Sequence, residues 1–178
     1  TLPEGMVIAR GSDSSIFIDA SIREVYNTLF IAVGLVTVVI FMFLGSLRST
    51  IIPAITVPIS IISTFIVLLA LGLSINLLTL LALVLAIGLV VDDAIVVLEN
   101  IHRRMDEYGE TPLVAAYRGT RQVGFAVVAT TMVLIAVFLP ITFLQGNVGR
   151  LFTEFALTMA AAVFFSSILS LTIVPMMS

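Results

Sequence analysis

The chain has 178 residues, 60% of them hydrophobic, a net charge of −3 and a mean hydropathy of +1.25. Soluble domains carry about 45–50% apolar residues, so this composition belongs to a membrane protein, and the slight acidic excess gives no reason to expect a nucleic-acid partner. All eight basic residues are arginine and cysteine is absent, which excludes disulfides and thiolate metal sites.

The chain opens TLPEGMVIAR, without a start methionine or a signal-peptide pattern, and reads as a piece of a longer protein. A Pro–Gly turn, a strand-like run at Met6–Ala9 and a polar stretch suggest that residues 1–20 end an extramembrane domain. A helix is expected to start near Ser14 or Ser15, with SIREVYNTLF as its interfacial entry. Residues 21–178 read as an all-α transmembrane bundle. Its spans are expected at Asn27–Leu44, Ile51–Leu71, Leu77–Leu98, Val123–Leu139 and Phe155–Val174. Crossing a hydrocarbon layer of roughly 30 Å takes about 20 helical residues. Lipid offers backbone groups no partner, so each span must be helical.

Pro53 and Pro58 fall in the first turns of the second span and predict a bend there. Thr111–Pro112 offers an N-cap followed by proline at the first helical position. Pro140 and Pro175 are expected to close their helices. Arginine places the chain in the membrane. Arg48, Arg103, Arg104, Arg118 and Arg121 fall on one side, against Arg10, Arg23 and Arg150 on the other. The richer side is expected to be inside, with the N-terminal tail and the 140–154 loop outside.

The informative stretch is LAIGLVVDDAIVVLEN, Leu85–Asn100. Two mid-membrane aspartates, Asp92 and Asp93, cost roughly 5–7 kcal/mol on insertion scales, and fifteen Leu, Ile and Val residues in the same span return roughly 4.5–9 kcal/mol. The helix inserts, but only just. Gly88, Ala86 and Ala82 lie to the same general side, so that edge is expected to be buried among helices. Glu99 and Asn100, seven residues on, extend a possible polar track. Adjacent buried carboxylates repel each other and resist ionisation, which suits a proton relay. The plainer alternative is a structural pair, hydrogen-bonded to Ser and Thr or reaching toward the interface. No basic residue occurs in any span. Either the acids work partly protonated or a cation comes from helices outside this chain, and the second is the expectation adopted.

LAIGLVVDDAIVVLENIHRRM resembles the fourth transmembrane helix of resistance–nodulation–division (RND) transporters of the AcrB type. LPEGM resembles the end of their periplasmic porter domain. FLGSLRSTIIPAITVPIS and GLSINLLTL resemble the turns into helices three and four, and AVFLPITFLQGNVGRLFTEFALTMAAAV the fifth-to-sixth connection. The resemblance implies a trimeric proton/substrate antiporter in the bacterial inner membrane, driven by the proton-motive force without a cofactor or bound metal. It implies a transporter and not an enzyme. Residues 1–20 would then end a porter subdomain, and 21–178 would hold helices two to six. Asp92 and Asp93 match the family's relay aspartates, which pair with a lysine in the other half of the transporter. A periplasmic adaptor and an outer-membrane channel are the further implied partners. Metal-exporting relatives usually carry Asp–Gly here, so Asp–Asp favours hydrophobic or amphiphilic substrates.

The rival reading is a non-transporting membrane component of the same fold, either a sterol-sensing-type bundle or a protein-translocation accessory. A simple channel would need a ring of acids, which only oligomerisation could supply. His102 reads as an interfacial residue, and Arg150 with Glu154 as an exposed pair one turn apart. Thr130, Thr131, Ser166, Ser167 and Ser170 could line the aspartates or simply bond to backbone carbonyls.

Overall fold

A computed structural model describes residues 14–45 and 47–178. The strand expected at Met6–Ala9 and most of the expected extramembrane remnant lie outside those residues. Five long helices follow one another: α1 (Ser14–Leu44), α2 (Leu47–Ala70), α3 (Leu77–Tyr108), α4 (Pro112–Phe138) and α5 (Gly146–Met177). A 3-10 turn, Leu139–Phe143, joins the last two, and no strand occurs among the described residues. The expected all-α membrane fold is borne out. Four segments are long and apolar enough to cross a membrane: Ser49–Ala70, Leu77–Tyr108, Pro112–Phe143 and Val148–Met177. The first expected span, Asn27–Leu44, corresponds to a shorter apolar run in α1, Tyr26–Met42.

Several boundaries move. Helix α1 does start at Ser14, as expected, and runs on through residue 20. Pro53 and Pro58 lie inside α2 rather than in its first turn, because the helix starts at Leu47. Helix α3 continues from Leu98 to Tyr108, so the polar connector expected after residue 98 is largely helix. Pro140 sits in the 3-10 turn, as a helix terminator should. Pro175 does not close α5: a proline this late removes only one bond to the preceding turn, and Ser178 N–H still reaches Val174 O at 3.1 Å.

The ends of α3 are set by its sequence. At the start, Asn76 Oδ1 accepts from Leu78 N at 2.9 Å and Thr79 N at 3.0 Å, while Thr79 Oγ1 accepts from Asn76 N at 2.8 Å. This reciprocal capping box satisfies donors that would otherwise be orphaned. At the end, Gly109 adopts φ 62°, ψ 24°, and its N–H bonds to Arg104 O. That left-handed position favours glycine, and it turns the chain straight into α4. Thr111 does occupy the α4 N-cap with Pro112 following, but its side chain makes no cap hydrogen bond.

Helices α3 and α5 form the central pair. Helices α2 and α4 each pack on both, and among the described residues α1 packs on α2 and α3. Small residues let the central pair approach: Ala82 and Ala86 of α3 meet Met159 and Ala162 of α5. Lipid tails are as apolar as leucine, so such close packing replaces the hydrophobic drive of soluble bundles. A second cluster joins Ile40, Val57, Ile61, Ile87 and Val90. A third, around Val97, Leu98, Ile101, Ala115 and Val174, closes the end of the bundle near Gly109. Helix α4 buries only Ala115, Ala116, Gly119, Val127 and Thr131, so most of its surface points outward.

Buried hydroxyls are mostly spent on their own helices. Thr64 donates to Ser60 O at 2.8 Å, Thr158 to Glu154 O at 2.7 Å and Thr131 to Val127 O at 2.8 Å. Bonding of this kind hides a hydroxyl from lipid. Thr130 and Ser167 do the same, to Val127 O and Phe164 O. Of the five hydroxyls considered for the aspartates, Ser166 alone is seen to reach one.

Candidate functional site at the paired aspartates

Asp92 and Asp93 lie midway along the 32-residue α3. Consecutive helical residues point about 100° apart, and the surroundings divide the pair accordingly. Asp93 is half-buried and turned to α5, where Ser166 Oγ stands 3.4 Å from Asp93 Oδ2 and 3.2 Å from Val90 O. Asp92 is exposed. It belongs to a line down α3 at three- and four-residue spacing, comprising Leu81, Leu85, Gly88, Asp92, Val96, Glu99 and Arg103, all exposed. The opposite side, with Ala82, Ala86, Ala94, Val97 and Ile101, is buried.

This corrects the expectation that Gly88, Ala86 and Ala82 would lie with the acids on one buried edge. The two alanines face α5, while Gly88 shares the open line with Asp92. The residues are too far apart in angle for one neighbour to cover them all. The polar track divides in the same way. Glu99 stays on the open line. Asn100 is buried, and its Nδ2 donates to Gly119 O of α4 at 2.8 Å. Its Oδ1 accepts from Arg103 Nη2 at 2.9 Å.

No cation pairs with either aspartate among the described residues. The ion pairs seen there, Arg104–Glu110 at 2.8 Å and Arg118–Glu110 at 2.9 Å, both use Glu110 in the turn between α3 and α4. Arg104 grips that carboxylate with two parallel bonds, Nε to Oε2 at 2.8 Å and Nη2 to Oε1 at 2.9 Å. Hydrogen bonding from Arg104 is the main reason the Glu110 carboxyl is pushed down to about 2. Nearby, His102 Nε2 meets Ser49 Oγ at 2.8 Å, which ties α3 to the start of α2. His102 and Ser49 line a cavity of about 190 Å³ beside the end of α5. Among the described residues, no group of three or more His, Asp or Glu side chains could hold a metal ion.

At the opposite end of the bundle, the expected Arg150–Glu154 pair does not form. Arg150 is exposed, whereas Glu154 is buried and turned to the start of α3. Its Oε2 accepts from Ser74 Oγ at 2.9 Å and also from Asn76 Nδ2. Spacing along α5 hides this arrangement, because the partners come from the connection between α2 and α3. The available signal was a lone acid beside an apolar run and a Ser–Ile–Asn turn opening the aspartate helix.

The model of the AcrB/AcrD/AcrF family matches residues 1–178. This chain belongs to that family. It is 49% identical over 177 residues to the multidrug resistance protein MdtC of Yersinia enterocolitica, covering 99% of this chain and 17% of that protein. The MdtC proteins of Escherichia coli K12 and Shigella flexneri are each 50% identical over 177 residues, with the same coverage. The chain thus spans 17% of the length of these curated relatives. The AcrB-type resemblance read from the motifs is borne out.

Proposed function

We propose that this chain is the proton-handling part of an efflux transporter that exchanges protons for hydrophobic or amphiphilic compounds, with Asp92 and Asp93 as the relay. The observation that carries the proposal is the division of the pair at mid-helix. Asp93 meets the hydroxyl of Ser166, and Asp92 stands on a face open to the rest of the protein. A serine hydroxyl has one hydrogen and two lone pairs. When Asp93 is ionised, Ser166 can donate to it. When Asp93 is protonated, Asp93 can donate to Ser166, which then gives its hydrogen to Val90 O. The α3–α5 seam thus accommodates both protonation states with little movement, while Asp92 presents its charge to a cation on helices beyond this chain. A lysine in the other half of the transporter fits that role.

Membership of the AcrB/AcrD/AcrF family and the name of the relatives, multidrug resistance protein, support the transport reading. Under it, the end of the bundle near Gly109 faces the cytoplasm and the Glu154 end faces the periplasm, as the arginine distribution favours. A trimer in the inner membrane, with a periplasmic adaptor and an outer-membrane channel, completes the proposal. The test is dye efflux from proteoliposomes holding the full-length transporter under an imposed pH gradient. Asp92→Asn and Asp93→Asn should each abolish gradient-driven efflux while leaving a folded oligomer. Wild-type efflux in both variants would reject the relay.

A further inference from the structure

The Glu154 side chain does more than fill space. Its carboxylate is buried in α5, and among the described residues its partners are the hydroxyl of Ser74 and the amide of Asn76. Neither partner is charged, and the ion pairs among the described residues do not include it. Burying a carboxylate without a cation is expensive unless strong donors replace water. Two features offset the cost here. The donors converge on one carboxylate, and the group faces the start of α3, where the helix dipole favours negative charge.

Asn76 connects this carboxylate to the aspartate helix. Its Oδ1 is committed to the α3 cap through Leu78 N and Thr79 N, which leaves its Nδ2 to point at Glu154. One amide therefore fastens the first turn of α3 to a fixed point on α5. Farther along the same pair of helices, Ser166 of α5 meets Asp93 of α3. Sliding α3 by one residue along its axis moves it about 1.5 Å, and a contact already 3.4 Å long does not survive that displacement.

We infer that Glu154 is a positioning residue for proton coupling: by holding Ser74 and Asn76 it sets the register of α3 against α5 and so keeps Asp93 at Ser166. The inference rests on the relay reading proposed above. The groups facing Glu154 from the neighbouring elements carry no charge. They are Ser74 and Asn76 of the α2–α3 connection, and the 3-10 turn Leu139–Phe143 holds no titratable side chain. Arg150, one turn earlier on α5, is exposed.

The test uses the full-length transporter, with spin labels at Leu77 of α3 and Leu151 of α5, both exposed at this end of the bundle. Glu154→Ala should shift or broaden the inter-label distance by about 1.5 Å or more, one helical residue. Efflux should fall about tenfold, in line with losing a hydrogen bond to a charged group, and its pH profile should move. Glu154→Gln keeps an acceptor oxygen for Ser74 and Asn76, and should restore the distance and most of the efflux. A lesion in folding alone would lower the amount of active protein without moving the pH profile.

An unchanged distance in Glu154→Ala overturns the inference, as does a changed distance with wild-type efflux and pH profile. Asp92→Asn and Asp93→Asn, run in the same vesicles, separate the two readings. If both stay active, the relay itself fails and the inference falls with it. If both are dead while Glu154→Ala behaves as wild type, the positioning role alone fails.

Discussion

Ser166 has one proton to give and two acceptors within reach, and this is the smallest scale at which the site can be understood. In the relay proposed above, the choice between Val90 O at 3.2 Å and Asp93 Oδ2 at 3.4 Å would follow the charge on Asp93. Single residues also decide how closely the helices pack. A methyl group added at Gly119 would stand 3.0 Å from Ile101 Cγ1 and 3.2 Å from Ile101 Cα. Backbone cannot step aside as a flexible side chain can, so Gly119→Ala should cost about 1–3 kcal/mol by overpacking. It should also weaken the bond from Asn100 to the Gly119 carbonyl. Gly124→Ala is the control, since its nearest neighbour is Leu171 Cδ2 at an ordinary 3.7 Å. Melting of the purified full-length protein should drop for the first variant and stay level for the second.

At the scale of the element, α3 is a rod held at both ends by different partners. Residues 74 and 76 tie its start to α5, and Asn100 with the Arg104–Glu110–Arg118 cluster ties its end to α4. The helix is about 48 Å long at 1.5 Å per residue, well over the roughly 30 Å of hydrocarbon, so its final turns extend past the apolar layer. The clamp at Glu110 is sensitive to acid. Its carboxyl titrates near 2 in the folded chain, below the ordinary 4.5, so the folded state holds this proton less readily than the unfolded one. The stabilisation is complete above about 4.5 and disappears as the pH falls toward 2. Hydrogen-exchange protection at residues 109–111, measured against the intrinsic rate at each pH, should therefore fall over that interval in the wild type. In Glu110→Gln the protection should be low already at neutral pH and unchanged by acid.

At the scale of the whole molecule, the open line on α3 is the feature on which the proposed transporter assembly bears most. Leu81, Leu85 and Val96 alone would suit lipid, but Asp92 and Glu99 on the same line would not. Gly88 has nothing within 4 Å of an added methyl in this chain, so the site tolerates a larger side chain here by itself. If helices from the other half cover this line, Gly88→Leu in the full-length transporter meets them. The expected cost is about 1–3 kcal/mol of overpacking, read as a loss of efflux of roughly tenfold or more per folded protein. Phe125→Leu, on the outward surface of α4 where Phe125 is 85% exposed, should leave efflux unchanged. Normal efflux in Gly88→Leu would mean that the line faces lipid or water in the assembled protein.

By itself the sequence determined that this chain is a helical membrane bundle, because lipid leaves the backbone no other way to satisfy its polar groups. It also marked Asp92 and Asp93, since the energetic cost of acids in an apolar run is local and can be counted from composition. The start of α4 was legible for the same reason: Thr111 and Pro112 act on their own few residues. Only the tertiary structure decided direction. A helix apolar all round fixes the angle between Asp92 and Asp93 but not which neighbour each will meet, so the side of Gly88 and Asp92, expected to be buried, is open, and Ala82 and Ala86 part from it. Helix lengths beyond the apolar run, as in α3 after Leu98, also depended on what the polar residues bond to. The Glu154 contacts lay deepest. They join positions 74 and 76 to position 154, and a bond across that separation exists only because α3 and α5 pack side by side.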